Sequence, residues 1–97
     1  MNPLRELQTE IEKQVTAGIR VDTQQDTIIV RDSHDGYVAF SFEPGEAALM
    51  VVRVNVRSAK PSSPAVGRYS WTGSEWLRAG MSVTLANLVR KSIEDLE

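Results

Sequence analysis

The stretch ALMVVRVNVR, residues 48–57, decides the fold of this chain. Its side chains alternate in kind, which is the two-residue period of a β-strand. One face is wholly apolar and belongs to a hydrophobic core: Met50, Val52, Val54 and Val56. The other face mixes apolar, amide and cationic side chains: Leu49, Val51, Arg53, Asn55 and Arg57. The second face is a candidate interface, because a wholly solvated face would be more polar.

The segments before this strand have the same period. Thr27 to Arg31 is a predicted strand, and Ile19 with Val21 indicates a short edge strand. In Tyr37 to Phe42 every second residue is apolar, so Val38, Phe40 and Phe42 face the core while Tyr37 and Ala39 lie on the same side as the candidate interface. Residues 58–67 contain two prolines among serines and show no strand or helix period, so they are predicted to form a mobile crossing loop. In one interpretation this loop folds back over Leu49 and Val51.

A hairpin is predicted at Trp71-Thr72-Gly73-Ser74-Glu75-Trp76. With Gly73-Ser74 as a two-residue turn, Thr72 faces Glu75 and the two indoles face each other. The strand period adds two further residues to that side. The resulting candidate aromatic patch is Tyr69, Trp71, Trp76 and Arg78. It has two interpretations: a ligand platform, or large side chains packed in the core of a small domain.

Both ends of the chain have the spacing of amphipathic helices. Pro3 opens a predicted helix over about residues 3–17, with Gly18 as its stop. Its apolar residues recur every three or four positions: Leu4, Leu7, Ile11 and Val15. Near the other end Ser82 is the predicted N-cap of a second helix. The apolar stripe of that helix is Leu85, Leu88, Val89, Ile93 and Leu96.

This order of elements predicts an α+β fold. It has an antiparallel β-sheet of four to six strands in a meander, flanked by N-terminal and C-terminal helices packed on one face. With 97 residues and no internal repeat, the chain is predicted to be a single α+β domain over residues 1–97.

Composition excludes several classes of function. The chain has no cysteine, which excludes a thiol nucleophile, disulfides and cysteine-ligated metals. No signal peptide or membrane span is apparent, so a cytoplasmic location and no membrane partner are predicted. The net charge of −2 disfavours attraction of the whole molecule to nucleic acid, although residues 50–80 hold five Lys or Arg against one Glu.

His34 is the single histidine and lies in Asp32-Ser33-His34-Asp35-Gly36. Adjacent residues on one turn cannot form a Ser-His-Asp triad, and the composition of the segment is that of an exposed turn. We therefore assign no catalytic, metal-binding or cofactor-binding residue, expect no cofactor and predict that the protein is not an enzyme.

Three functions remain. The first is a small non-enzymatic interaction protein, such as a bacterial accessory protein, that presents the sheet face or the first helix to a protein partner, including a second copy as a homodimer. The second is a small-molecule binder with a pocket of Tyr69, Trp71 and Trp76 under the 58–67 loop. The third and least favoured is single-stranded nucleic-acid binding, in which Tyr69 and Trp71 stack on bases. Its cationic residues would be Arg53, Arg57, Lys60, Arg68 and Arg78.

Overall fold

The computed structural model describes residues 3–33, 36–45, 50–57, 66–94 and 96. Within them the chain forms two helices and one antiparallel sheet of seven strands in chain order. The helices are α1 (Pro3–Gln14) and α2 (Leu85–Ile93). The strands are β1 (Arg20–Gln24), β2 (Thr27–Arg31), β3 (Tyr37–Glu43), β4 (Met50–Arg57), β5 (Val66–Trp71), β6 (Trp76–Arg78) and β7 (Met81–Val83). The predicted α+β meander with a helix at each end is confirmed.

The predicted count of four to six strands is wrong, because the sheet has a seventh strand. Ala79 and Gly80 both have positive φ angles, 52° and 81°, and form a tight turn that pairs Arg78 with Met81. The chain therefore returns as β7 where the sequence pattern predicted the approach to a helix. Ala-Gly gives a weaker turn signal than Asn-Gly, since alanine adopts a positive φ at a cost.

Thr84, and not the predicted Ser82, is the N-cap of α2. The Thr84 backbone is extended (φ −78°, ψ 152°), and its hydroxyl accepts a hydrogen bond from the Asn87 backbone N–H at 3.1 Å. Ser82 lies in β7, and its hydroxyl donates to the Glu75 carboxylate. The cap is displaced because the extra strand uses the residues before it.

We expect Thr84→Ala to lower the free energy of unfolding by about 1 kcal/mol, because one N–H of the first turn of α2 then loses its partner. The matched control is Ser82→Ala, which removes an exposed hydroxyl from β7 and is expected to change stability by less than about 0.5 kcal/mol. Urea unfolding followed by tryptophan fluorescence measures both. A larger effect for Ser82→Ala would contradict the assignment of the cap.

Two other boundaries differ from the predicted ones. Helix α1 ends at Gln14, not at 17, and Gly18 with φ 91° lies in the turn that follows. Val66 and Gly67 belong to β5, where they pair with Asn55 and Val54, and not to the predicted loop. The rest of that loop, residues 58–65, lies outside the described residues.

The hydrophobic core lies between the helices and one face of the sheet. Fully buried side chains of β2, β3 and β4 meet Leu7 and Ile11 of α1 and Leu88 and Val89 of α2. The strand members of the core are Ile28, Val30, Val38, Phe40, Phe42, Val52, Val54, Tyr69, Trp71 and Trp76. Both helices therefore cover the same face, which we call the helix-covered face.

The two helices are also joined directly. The Gln14 side-chain amide donates hydrogen bonds to the Glu10 carboxylate at 2.8 Å and to the Ala86 carbonyl of α2 at 2.9 Å. This contact ties the end of the first helix to the start of the last.

Candidate interaction surface

No helix in the described part of the chain lies on the opposite face of the sheet, and we call it the open face. Strand pairing arranges its side chains in rows that cross the sheet. One row consists of Arg20, Arg31, Tyr37 and Arg57, and we call it the arginine row. The next row has a partly apolar centre: Asp22, Ile29, Ala39 and Asn55. A third row consists of Gln24, Thr27, Ser41, Arg53 and Arg68.

Cationic side chains on the open face are placed directly opposite each other. Arg20 pairs with Arg31 between β1 and β2, and Arg53 pairs with Arg68 between β4 and β5. Like charges at directly opposite positions destabilise an antiparallel sheet. All four arginines are exposed, so solvent screens the repulsion within each pair.

Two acidic residues on this face offset part of the charge. The Arg31 guanidinium lies 3.9 Å from the Asp22 carboxylate, and the Arg53 guanidinium lies 3.4 Å from Glu43. Both pairs are about half exposed, so solvent screens them and each contributes little to stability. In the described ranges the other arginines of the face, Arg20, Arg57 and Arg68, have no ion-pair partner within 4 Å.

The five residues predicted as the interface do not share one environment. Arg53, Asn55 and Arg57 are exposed on the open face. Val51 also points to this side, between Glu43 and Ser70 of the neighbouring strands, but only 3% of it is exposed. Val51 therefore cannot contribute contact area to a partner unless the chain rearranges. Leu49 lies outside the described residues.

The predicted aromatic patch belongs to the core. Trp71 and Trp76 face each other across the hairpin as predicted, with ring centroids 5.1 Å apart and planes tilted by 44°. Both indoles and Tyr69 are buried against the helices. Arg78 is exposed; its guanidinium lies 5.5 Å from the centre of the Tyr69 ring and donates to the hydroxyl at 3.2 Å. The hairpin prediction is confirmed, and the structure gives its aromatic rings the core position.

The four residues of this patch line two different cavities. Tyr69 and Arg78 line one of about 230 Å³ beside the end of α2, with Lys91, Ser92 and Glu94. Trp71 and Trp76 line another of about 310 Å³ beside α1 and the start of α2. The first cavity is smaller than the roughly 300–1,000 Å³ that is usual for ligand pockets, and the second is at the lower end of that range. The buried rings therefore offer little surface to a small ligand.

The predicted nucleic-acid stripe is divided between the two faces. Arg53, Arg57 and Arg68 lie on the open face, whereas Tyr69 and Arg78 lie on the helix-covered side. Lys60 lies outside the described residues. Base stacking needs accessible rings beside the cations, and burial of Tyr69 and Trp71 removes them.

The turn around the histidine is described only in part, because His34 and Asp35 lie outside the described residues. Asp32 accepts a hydrogen bond from the Gly36 backbone N–H at 2.8 Å, and its own N–H donates to the Gly36 carbonyl at 3.0 Å. These contacts are those of a turn closed by an aspartate side chain. Among the described residues no three acidic or histidine side chains lie close enough to hold a metal ion.

Sequence reasoning missed that Arg20, Arg31 and Arg68 join the candidate interface. The signal was present, since each lies at an alternate position of a strand. Placing them side by side requires the register of β1, β2 and β5, which the periodicity of a single strand does not give.

The chain matches no protein-family model, no curated protein and no solved structure. In the described part of the chain, neither helix has the length and apolar character needed to span a membrane.

Proposed function

We propose that this protein is a non-enzymatic interaction module whose open face binds an acidic surface of a protein partner. The observation that carries the proposal is the composition of this face. In strands β1 to β5 it has five arginines, Arg20, Arg31, Arg53, Arg57 and Arg68, against Asp22 and Glu43. The helices cover the other face, so this one is the larger accessible surface of the sheet.

The kind of side chain on the open face favours a protein partner. Arginine and tyrosine are enriched in protein interfaces, whereas lysine is depleted, and every cation of this face in the described strands is arginine. Half-buried Ile29, Ala39 and Tyr37 lie between the cations. A partner could therefore bury apolar contacts at the centre and pair carboxylates with the guanidinium groups around them.

Charge complementarity favours an acidic partner over a second copy. A symmetric homodimer through the open face would bring two arginine rows together, and like charges at an interface cost several kcal/mol. A partner that presents aspartate and glutamate would offset the repulsion within the pairs Arg20–Arg31 and Arg53–Arg68. Self-association through this face thus becomes the alternative that an experiment must distinguish.

The test compares two fluorescent probes with equal numbers of charges, poly-L-glutamate and an oligodeoxythymidylate, by anisotropy at low salt. The variant Arg20→Glu/Arg57→Glu reverses two exposed cations of the arginine row that have no described ion-pair partner. We expect it to weaken poly-L-glutamate binding by about tenfold, because two attractive contacts become repulsive.

The matched control is Arg5→Glu/Arg90→Glu, which makes the same change of net charge on the exposed surface of the two helices. It is expected to bind poly-L-glutamate within about twofold of the unmodified protein. Equal losses in both variants, tighter binding of the oligonucleotide, or a concentration-dependent dimer in light scattering would each overturn the proposal.

A further inference from the structure

Strand β5 extends beyond its neighbour β6. Between these strands only Ser70 with Leu77 and Trp71 with Trp76 are paired, because the chain turns away from β5 at Ala79 and Gly80. On its other side β5 is paired with β4 as far as Val66. Within the described ranges, residues 66–68 therefore have a strand on one side only.

The backbone of Arg68 points toward this free edge. Thr72 N–H donates to the Glu75 carbonyl at 3.1 Å, so Thr72 directs its backbone groups toward β6. In an antiparallel strand every second residue points the same way, which gives Ser70 and Arg68 the same direction. Arg68 thus presents one N–H and one C=O, and the described part of the chain places no strand opposite them.

Cavities flank the free edge on both sides of the sheet. On the open face, Arg68, Leu77 and Ala79 are among the residues that line a groove of about 620 Å³. On the helix-covered side, Gly67, Tyr69 and Lys91 help to line the cavity of about 230 Å³ already described. Alternate residues of β5 therefore face different cavities, as alternate side chains of an added strand would.

The charged residues around the free edge of β5 favour an acidic ligand. Arg68, Arg78 and Lys91 line the two cavities, and Glu94 is the one acidic residue among the described lining residues. Leu77 and Ala79 add apolar surface on the open-face side. An extended segment that alternates acidic and aliphatic residues matches this arrangement.

We propose that the free edge of β5 binds an extended acidic segment of a protein partner by strand addition. Main-chain hydrogen bonds to Arg68 give affinity, and the two flanking cavities give specificity. This inference rests on the proposed function, because it takes the partner to be an acidic protein, and it adds the mode of recognition.

The experiment measures backbone amide exchange of the isotope-labelled protein by NMR, with and without a capped peptide of alternating glutamate and valine. In the free protein the Arg68 amide is expected to exchange fast, because its N–H has no backbone partner among the described residues. Saturating peptide is expected to slow this exchange by about tenfold or more, while the amides of Gly67 and Tyr69, already bonded to β4, change little. A slow Arg68 amide in the free protein would overturn the proposal, since the edge would then be occupied already.

Arg68→Pro removes the outward N–H without touching the β4 ladder, and proline is tolerated at such edge positions. We expect it to weaken peptide binding by about tenfold or more. The matched control, Arg68→Gln, keeps the N–H and loses only the charge, so its loss is expected to be about threefold. Equal losses in the two variants would overturn the proposal, because the charge of Arg68 and not its N–H would then account for the binding.

Two methylated peptides test the same point if Arg68→Pro does not fold. Methyl groups on every second backbone nitrogen of a peptide block one edge of an added strand. One peptide carries them on the odd-numbered residues and the other on the even-numbered residues, so one peptide is expected to lose binding and the other to keep it. Equal binding of both methylated peptides would refute strand addition.

The NMR experiment also separates the two proposals. If the unmethylated peptide shifts only resonances of Arg53, Asn55 and Arg57 and leaves the exchange of the Arg68 amide unchanged, the proposed function stands and the strand-addition proposal fails. If neither peptide nor poly-L-glutamate binds, both proposals fail.

Discussion

Phe40→Ala is expected to lower the free energy of unfolding by about 3–5 kcal/mol, which is a large part of the roughly 5–15 kcal/mol that holds a small domain folded. Phe40 is fully buried in β3, where it lies between Ile28 of β2 and Val54 of β4. Truncation to alanine removes its apolar contacts and leaves a cavity that strands paired on both sides cannot close.

Guanidinium unfolding followed by tryptophan fluorescence measures this loss, because both indoles are buried in the folded protein. Phe40→Leu is the matched variant, since it keeps most of the apolar volume and is expected to lose about 1.5 kcal/mol. A similar loss for both variants would mean that the side chain at this position does not fill the core as the structure has it.

Val51→Glu is expected to lower the free energy of unfolding by about 3–5 kcal/mol, although Val51 lies on the open face. The valine is 3% exposed and its cross-strand partner is Glu43. The substitution removes buried apolar area and places a carboxylate at a position where the native side chain is almost fully shielded from water. As a probe of partner binding, this variant would therefore report loss of the fold.

Asn55→Glu is the matched control for Val51→Glu, because it introduces the same side chain on the same strand and face at an exposed position. We expect a change within about 0.5 kcal/mol. Thermal unfolding of the two variants side by side measures the difference. If Val51→Glu were as stable as Asn55→Glu, the burial of Val51 in the structure would be wrong.

Local sequence chemistry predicted much of the fold. The bounds of β2, the facing indoles of the β5–β6 hairpin and the core residues of β3 follow from a two-residue period and a glycine turn. These features depend on neighbours in the chain, so periodicity is enough to find them.

The features that sequence missed depend on context. Strand β7 has three residues, and its Ala-Gly turn is not a strong turn signal, so the pattern around Ser82 fitted a helix cap equally well. Val66 and Gly67 follow two prolines and carry little strand signal of their own, yet pairing with β4 makes them part of β5. Tertiary pairing outweighs local preference at both places.

The sequence predicted on which face of the sheet the candidate interface lies, but not which of its residues are buried. Periodicity assigned Val51, Arg53 and Arg57 to one face, and the register confirms that assignment. It could not show that Val51 is buried, nor that Arg20 lies opposite Arg31 and Arg53 opposite Arg68. Both depend on how neighbouring strands are aligned, which a single sequence does not encode in its period.

Every strand lies beside the strand made just before it, so the sheet can grow by closing one short hairpin after another. Such local closures are entropically cheap. The contact between Gln14 and Ala86 is different, because it joins residues 72 positions apart. Because α1 is synthesised before α2, this contact forms only once α2 has been made, and until then α1 lacks its packing against α2.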